Sequence, residues 1–150
     1  MIAFRPLITL EIQVEAPLSL GTTAAGERRV IPFVGGSFSG SDMQGRVLPG
    51  GTDWQQLAPD GSLEIRAHYL LETDAGERIE VQSDGVRTGT PEVLARLASG
   101  ELLPASAYYF RTAIRLRSAA PRLARLNSAL FCSVGERRPE SVLLSVFELL

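Results

Sequence analysis

Gly35-Gly36-Ser37-Phe38-Ser39-Gly40-Ser41-Asp42-Met43-Gln44-Gly45-Arg46-Val47-Leu48-Pro49-Gly50-Gly51-Thr52-Asp53-Trp54 is the stretch on which the reading of this chain turns. It holds the sole Trp, six of the fourteen glycines and two Gly-Gly pairs. Glycine this dense between apolar segments marks bends, bulges or a backbone brought close to something. A phosphate-cradling loop would need a strand before it, a helix after it and, in the P-loop form, a lysine. Here there is no such context and no Lys anywhere in the chain. The stretch is expected to hold two short strands, around Phe38 and Val47, whose turns help a sheet to curve.

The flanks read as strands on both sides. Upstream, Ile8, Leu10, Ile12 and Val14 alternate with Thr9, Glu11 and Gln13 until Pro17 and Gly21 end the pattern. Val30–Val34 reads as a separate short strand, with Pro32 pointing to an edge or a bulge. Downstream, Pro59-Asp60-Gly61 supplies a turn. Leu63, Ile65, Ala67, Tyr69 and Leu71 then alternate with Glu64, Arg66, His68 and Glu72, the strongest strand signal present. A hairpin at Asp74-Ala75-Gly76 leads into a partner strand from Arg78 to about Val86. Thr90-Pro91-Glu92 reads as an N-cap, a proline at the first helical position and a first-turn acid, with Val93, Leu94 and Leu97 as the apolar stripe and Gly100 as the stop. Tyr108–Arg117 alternates again. Pro121–Asn127 is a helical turn or a loop, and Ser128–Val134 and Ser141–Leu150 are the last strands. Nothing shows the β-α alternation of a parallel sheet. The expected fold is all-β and mainly antiparallel: one domain, residues 1–150, forming a small closed or nearly closed β-barrel of eight to nine strands with one short helix.

Composition excludes several chemistries. All fifteen cationic residues are Arg, so a Schiff-base lysine and a pyridoxal-phosphate anchor are ruled out. A net charge of -2 argues against general affinity for nucleic acid or anionic membranes. One His and one Cys cannot build the usual zinc site, so no metal is expected. Cys132 has no partner for a disulfide and reads as a small buried hydrophobe. The segment Gly36–Gly40 has Phe38 where a nucleophilic elbow needs Ser. No apolar run approaches the ~18 residues that span a bilayer. The opening residues do not read as a leader, and a cytoplasmic protein is the expectation.

Several motifs occur in order along the chain: Gly26-Glu27-Arg28 with Pro32, Gly35–Gly40, Gly45–Trp54, Asp60-Gly61, Tyr69 with Thr73-Asp74, Gly85-Val86-Arg87, Tyr109–Thr112 and Leu126-Asn127. Over nearly the whole chain they resemble the uncharacterised protein family 0311, also called domain of unknown function 3237. The resemblance implies a small antiparallel barrel, often a homodimer. It further implies a cofactor-free isomerase or cyclase acting on phenolic or polyketide-like substrates, the activity of the few relatives that have one assigned. The chain departs from the family pattern at Arg117-Ser118-Ala119-Ala120, Leu123 and Arg125.

Two readings follow for the site. In the first, Asp53 transfers a proton and Arg111 binds a developing oxyanion, with Trp54, Tyr69, Tyr109 and Phe38 holding a flat substrate and no cofactor involved. The strand period adds a condition: if Tyr108 and Phe110 face the lumen, Arg111 faces away. Asp53 and Glu72 are its candidate partners. In the second reading the barrel binds a small aromatic or apolar ligand without turnover, or serves as a dimer scaffold. Asp53 then caps a turn and Trp54 fills the lumen. His68 belongs to the polar face of its strand and reads as a surface residue.

Overall fold

The computed structural model describes all 150 residues. Ten strands follow in order: β1 (Phe4–Val14), β2 (Leu18–Thr23), β3 (Gly26–Gly40), β4 (Gln44–Val47), β5 (Thr52–Leu57), β6 (Leu63–Thr73), β7 (Arg78–Thr88), β8 (Tyr109–Arg117), β9 (Phe131–Arg137) and β10 (Ser141–Leu149). One α-helix, α1 (Pro91–Ala98), separates β7 from β8, and 3-10 turns cover Ala105–Ala107 and Pro121–Ser128. All pairings are antiparallel, and the ring closes because β1 pairs with both β10 and β3.

The barrel has eight staves rather than ten, because two of them are each built from two strands. β1 pairs with the C-terminal half of β3 and β2 with its N-terminal half, so β1 and β2 lie end to end. β4 and β5 lie end to end in the same way between β3 and β6. The sequence pattern breaks the chain at Pro32 and Gly35-Gly36, whereas the structure carries one 15-residue strand, β3, through them. Pairing overrides the local breakers. At Pro32 the strand changes partner, and the register shifts from Gln13↔Gly35 to Val14↔Phe33, which leaves Val34 as a bulge. The glycines bend a single strand and do not divide it.

The inward positions of the staves, together with α1 and the turns, supply twenty-six buried hydrophobic residues, among them Leu10, Leu71, Ile79, Val81 and Leu116. Each end of the barrel is covered differently. At one end the Pro121–Ser128 turn buries Leu123 and Leu126, while Arg125 and Arg5 both donate to the buried Glu148. Those two hydrogen bonds hold the Glu148 carboxyl down at about 2. At the other end α1 begins as the sequence predicts. The Thr90 hydroxyl accepts from Val93 N at 3.3 Å, and Leu94 and Leu97 are buried. No helix is long and apolar enough to cross a membrane.

Candidate functional site

β5 turns Asp53 and Gln55 inward and Trp54 outward, by the two-residue period of a strand. The strand lies unusually close to β6. A Cβ on Gly51 would sit 2.4 Å from the Tyr69 Cβ, so only glycine admits this approach. The approach sets Asp53 and Tyr69 on the wall of one internal cavity of about 60 Å³, lined by sixteen residues of which eleven are hydrophobic. That volume holds a few waters as it stands. Most of the lining is buried, but Val14, Ile31, Arg87 and Val142 are half-buried and mark the rim.

The polar groups in this apolar wall are few and convergent. Arg29 Nε donates to Gln55 Oε1 at 2.8 Å, and Gln55 Nε2 donates to Asp53 Oδ2 at 2.7 Å. Thr112 and Ser133 share a hydrogen bond at 2.6 Å. Three buried side-chain atoms have no hydrogen-bond partner anywhere in the protein: Asp53 Oδ1, Tyr69 Oη and Arg87 Nε. All three belong to residues that line this cavity. Buried polar atoms are almost always satisfied, and each exception asks for a reason.

Electrostatics single out the same trio. Burial pushes the Asp53 carboxyl up to about 6, against the Gln55 hydrogen bond and the positive charges of Arg29 and Arg87. The Arg66 backbone N–H also favours its charged form but makes no well-formed bond to Oδ1, which stays open. Burial, and then the nearby Asp53 charge, hold the Tyr69 phenol protonated well above its ordinary range. Burial lowers Arg87 to about 10, helped by repulsion from Arg137 and Arg29. At neutral pH the cavity therefore presents a mostly ionised carboxyl that titrates at about 6, a neutral phenol donor and a guanidinium. That is the equipment of a general acid–base with oxyanion donors. No group of three or more His, Cys, Asp or Glu is placed to hold a metal ion.

The residues singled out in the sequence divide between two faces of the wall. Asp53 and Tyr69 meet in the cavity. Phe38 is buried in the core but does not line it. Trp54 is on the outside, with the Arg28 guanidinium 5.4 Å from its ring centre, and does not fill the lumen. Arg111 and Tyr109 also lie outside, paired with each other at 4.9 Å, because Phe110 and Thr112 take the inward positions of β8. Glu72 is held by Arg46 and Arg78. His68 is exposed, 2.6 Å from Glu80. Cys132 is half-buried, its thiol pushed up by burial. None of residues 117–125 lines the cavity; that segment leads into the turn covering the far end. Arg87 ends the Gly85-Val86-Arg87 motif but is not among the site residues expected from the sequence. It shares the inward phase of Val81 and Ser83, so the alternation of β7 carries the signal.

A model of the family described as "Protein of unknown function (DUF3237)" matches residues 2–149. The chain belongs to this family. A UPF0311 protein of Clostridium acetobutylicum is 33% identical over 147 residues, covering 97% of this chain and 93% of that protein. The crystal structure of a conserved protein of unknown function from Rhodopseudomonas palustris matches with a TM-score of 0.94 at 32% identity, over 100% of this chain and 98% of that one. The fold is also similar to that of a structure described as an enzyme from Penicillium herquei, with a TM-score of 0.76 over 99% of this chain and 95% of that one. At 17% identity that likeness is one of fold.

Proposed function

We propose that the barrel cavity is a proton-transfer site, and that the protein is a cofactor-independent isomerase or cyclase for a small oxygen-bearing aromatic or polyketide-like substrate. The observation that carries this reading is the trio of unpartnered atoms, Asp53 Oδ1, Tyr69 Oη and Arg87 Nε, around one apolar cavity. Asp53 takes a proton from the carbon next to a carbonyl. The Tyr69 hydroxyl and Arg87 N–H donate to the oxygen as it becomes an enolate. Asp53 then returns the proton to a second carbon or, in a ring closure by the enolate carbon, to the acceptor atom that is left with the negative charge. A carboxyl held at about 6 serves in both directions near neutral pH. Arg87 takes the oxyanion-binding part that the sequence pattern assigns to Arg111.

Deuterium uptake by a panel of aryl ketones in D2O, followed by proton NMR, tests this through the proton-transfer step alone, whatever the natural substrate. The wild-type protein should accelerate exchange. Asp53→Asn should slow it about 100- to 10,000-fold, and Tyr69→Phe or Arg87→Met about 100-fold. Full exchange in Asp53→Asn overturns the assignment, and a ligand bound without any exchange makes the barrel a binding protein. The family resemblance adds a homodimer to the proposal. Sedimentation equilibrium should return twice the 16.2 kDa chain mass, and a monomer mass removes it.

A further inference from the structure

Fifteen arginines carry all the positive side-chain charge of this chain, and most are accounted for. Arg5, Arg29, Arg46, Arg66, Arg78, Arg96, Arg122, Arg125 and Arg138 each have a carboxylate within 4.0 Å. Arg28 and Arg111 lie over aromatic rings, and Arg115 and Arg117 are exposed. Two half-buried guanidiniums remain, Arg87 and Arg137. Arg137 Nη1 donates only to the Leu97 carbonyl at 2.9 Å. The Arg87 side chain makes no hydrogen bond at all, and its Nε is buried.

These two are not independent of each other or of Arg29. Each of Arg87 and Arg29 is disfavoured in its charged form by Arg137, and Arg87 by Arg29 as well. The negative groups facing this cluster are Glu27, 3.6 Å from Arg29, and Asp53, whose carboxyl is raised to about 6 and is mostly ionised at neutral pH. Three like charges crowd the inward side of one end of the barrel against two opposing charges, which leaves one positive charge in excess. In a partly desolvated place this costs stability, and apolar side chains of the same length would avoid the cost. A bound anion would remove it.

Resting on the proton-transfer reading above, we infer that the substrate is an organic acid, its carboxylate at the rim against Arg87 and Arg137, with Arg29 behind them. Its apolar or aromatic body lies in the barrel, where the cavity of about 60 Å³ must widen at the half-buried rim of Val14, Ile31 and Val142 to take it. The guanidinium fork matches a carboxylate with two parallel hydrogen bonds. The body is specified by the eleven hydrophobic residues of the lining, and the reacting carbon by Asp53. The acid group supplies binding and orientation at the rim, while the Tyr69 hydroxyl and Arg87 Nε act deeper on the reacting oxygen. Arg87 thus bridges the two tasks.

Benzoate and its neutral counterpart benzamide test the inference by calorimetry, with inorganic phosphate as a third probe. Benzoate should bind at least about ten-fold more tightly than benzamide, the worth of one good charge-assisted pair. Arg87→Met should erase that preference while the unfolding midpoint stays at or above that of the wild type. Arg137→Met serves as the second variant should the first fail to fold. Equal affinity for benzoate and benzamide, no measurable binding of either, or a preference that survives both substitutions would overturn the inference. So would phosphate binding as tightly as benzoate, which would mark a general anion site. Asp53→Asn separates this result from the catalytic reading: it should lose proton exchange and keep benzoate. A wild-type protein that prefers benzoate but catalyses no exchange leaves the acid site standing alone, and one that catalyses Asp53-dependent exchange without preferring benzoate leaves only the proton-transfer site.

Discussion

At pH 8 the Asp53→Asn protein should unfold at a clearly higher denaturant concentration than the wild type, and at pH 4 the two should nearly coincide. Asp53 is 8% exposed, and its carboxyl is raised from 3.8 to about 6 in the folded state. A raised acid means that folding favours the protonated form. The corresponding stability is complete below the unfolded value near 3.8 and is lost as pH climbs through about 6. A rise from 3.8 to about 6 corresponds to about 3 kcal/mol at pH 8. Asparagine cannot ionise, so it escapes this loss. Its carbonyl still accepts from Gln55 Nε2 as Asp53 Oδ2 does. A midpoint shift equal at both pH values, or a variant less stable at pH 8, would remove the buried-acid account. A protein that retains a residue costing this much at working pH is expected to use it.

Gly36→Ala should fail to accumulate as folded protein, or should lose on the order of 4 kcal/mol if it does. Gly36 sits at φ +142, where side chains are strained, and an added Cβ would lie 2.0 Å from the Glu11 carbonyl oxygen. The obstacle is backbone, so no rotamer relieves it. The clash falls on the pairing of β1 with β3, the seam that closes the ring. Against a total stability of about 5–15 kcal/mol, the loss removes a large share. Urea unfolding compared with the wild type measures it, and an unfolding free energy changed by less than about 0.5 kcal/mol would mean that β1 and β3 can separate freely.

The barrel is legible in the sequence where one face of a strand is buried and the other wet. β6 alternates without a fault from Leu63 to Leu71, and the patterns for β7, β8 and α1 end close to the observed limits. β2 escapes because all six of its residues are exposed, so burial imposes no period on Leu18-Ser19-Leu20-Gly21-Thr22-Thr23. β3 reads as divided because Pro32 and Gly35-Gly36 are local breakers, and local rules cannot see partners that arrive from elsewhere in the chain. For the site, Asp53 and Tyr69 can be picked by chemistry. Their meeting depends on Gly51 and the β5–β6 register, which only the fold supplies. Arg111 stands out for its aromatic neighbours, yet strand phase puts Tyr109 and the arginine outside and only Phe110 within. The same phase rule, applied to Val81, Ser83, Gly85 and Arg87, points inward.

The closure of the ring fixes the order in which the site can come into being. Ile8 faces Gly40 on one side and Val146 on the other, so the first stave is completed only by the last. On the ribosome, residues 1–137 can pair into a curved sheet with an open edge, but the wall formed by Val142 and Leu144 does not yet exist. Such non-local closure is slow and leaves strand edges free while the chain waits. The acid, the phenol and the guanidinium are all synthesised early. They become a shared, water-poor chamber only when the carboxy-terminal strand docks, so a nascent or C-terminally truncated chain carries every reactive group and no site.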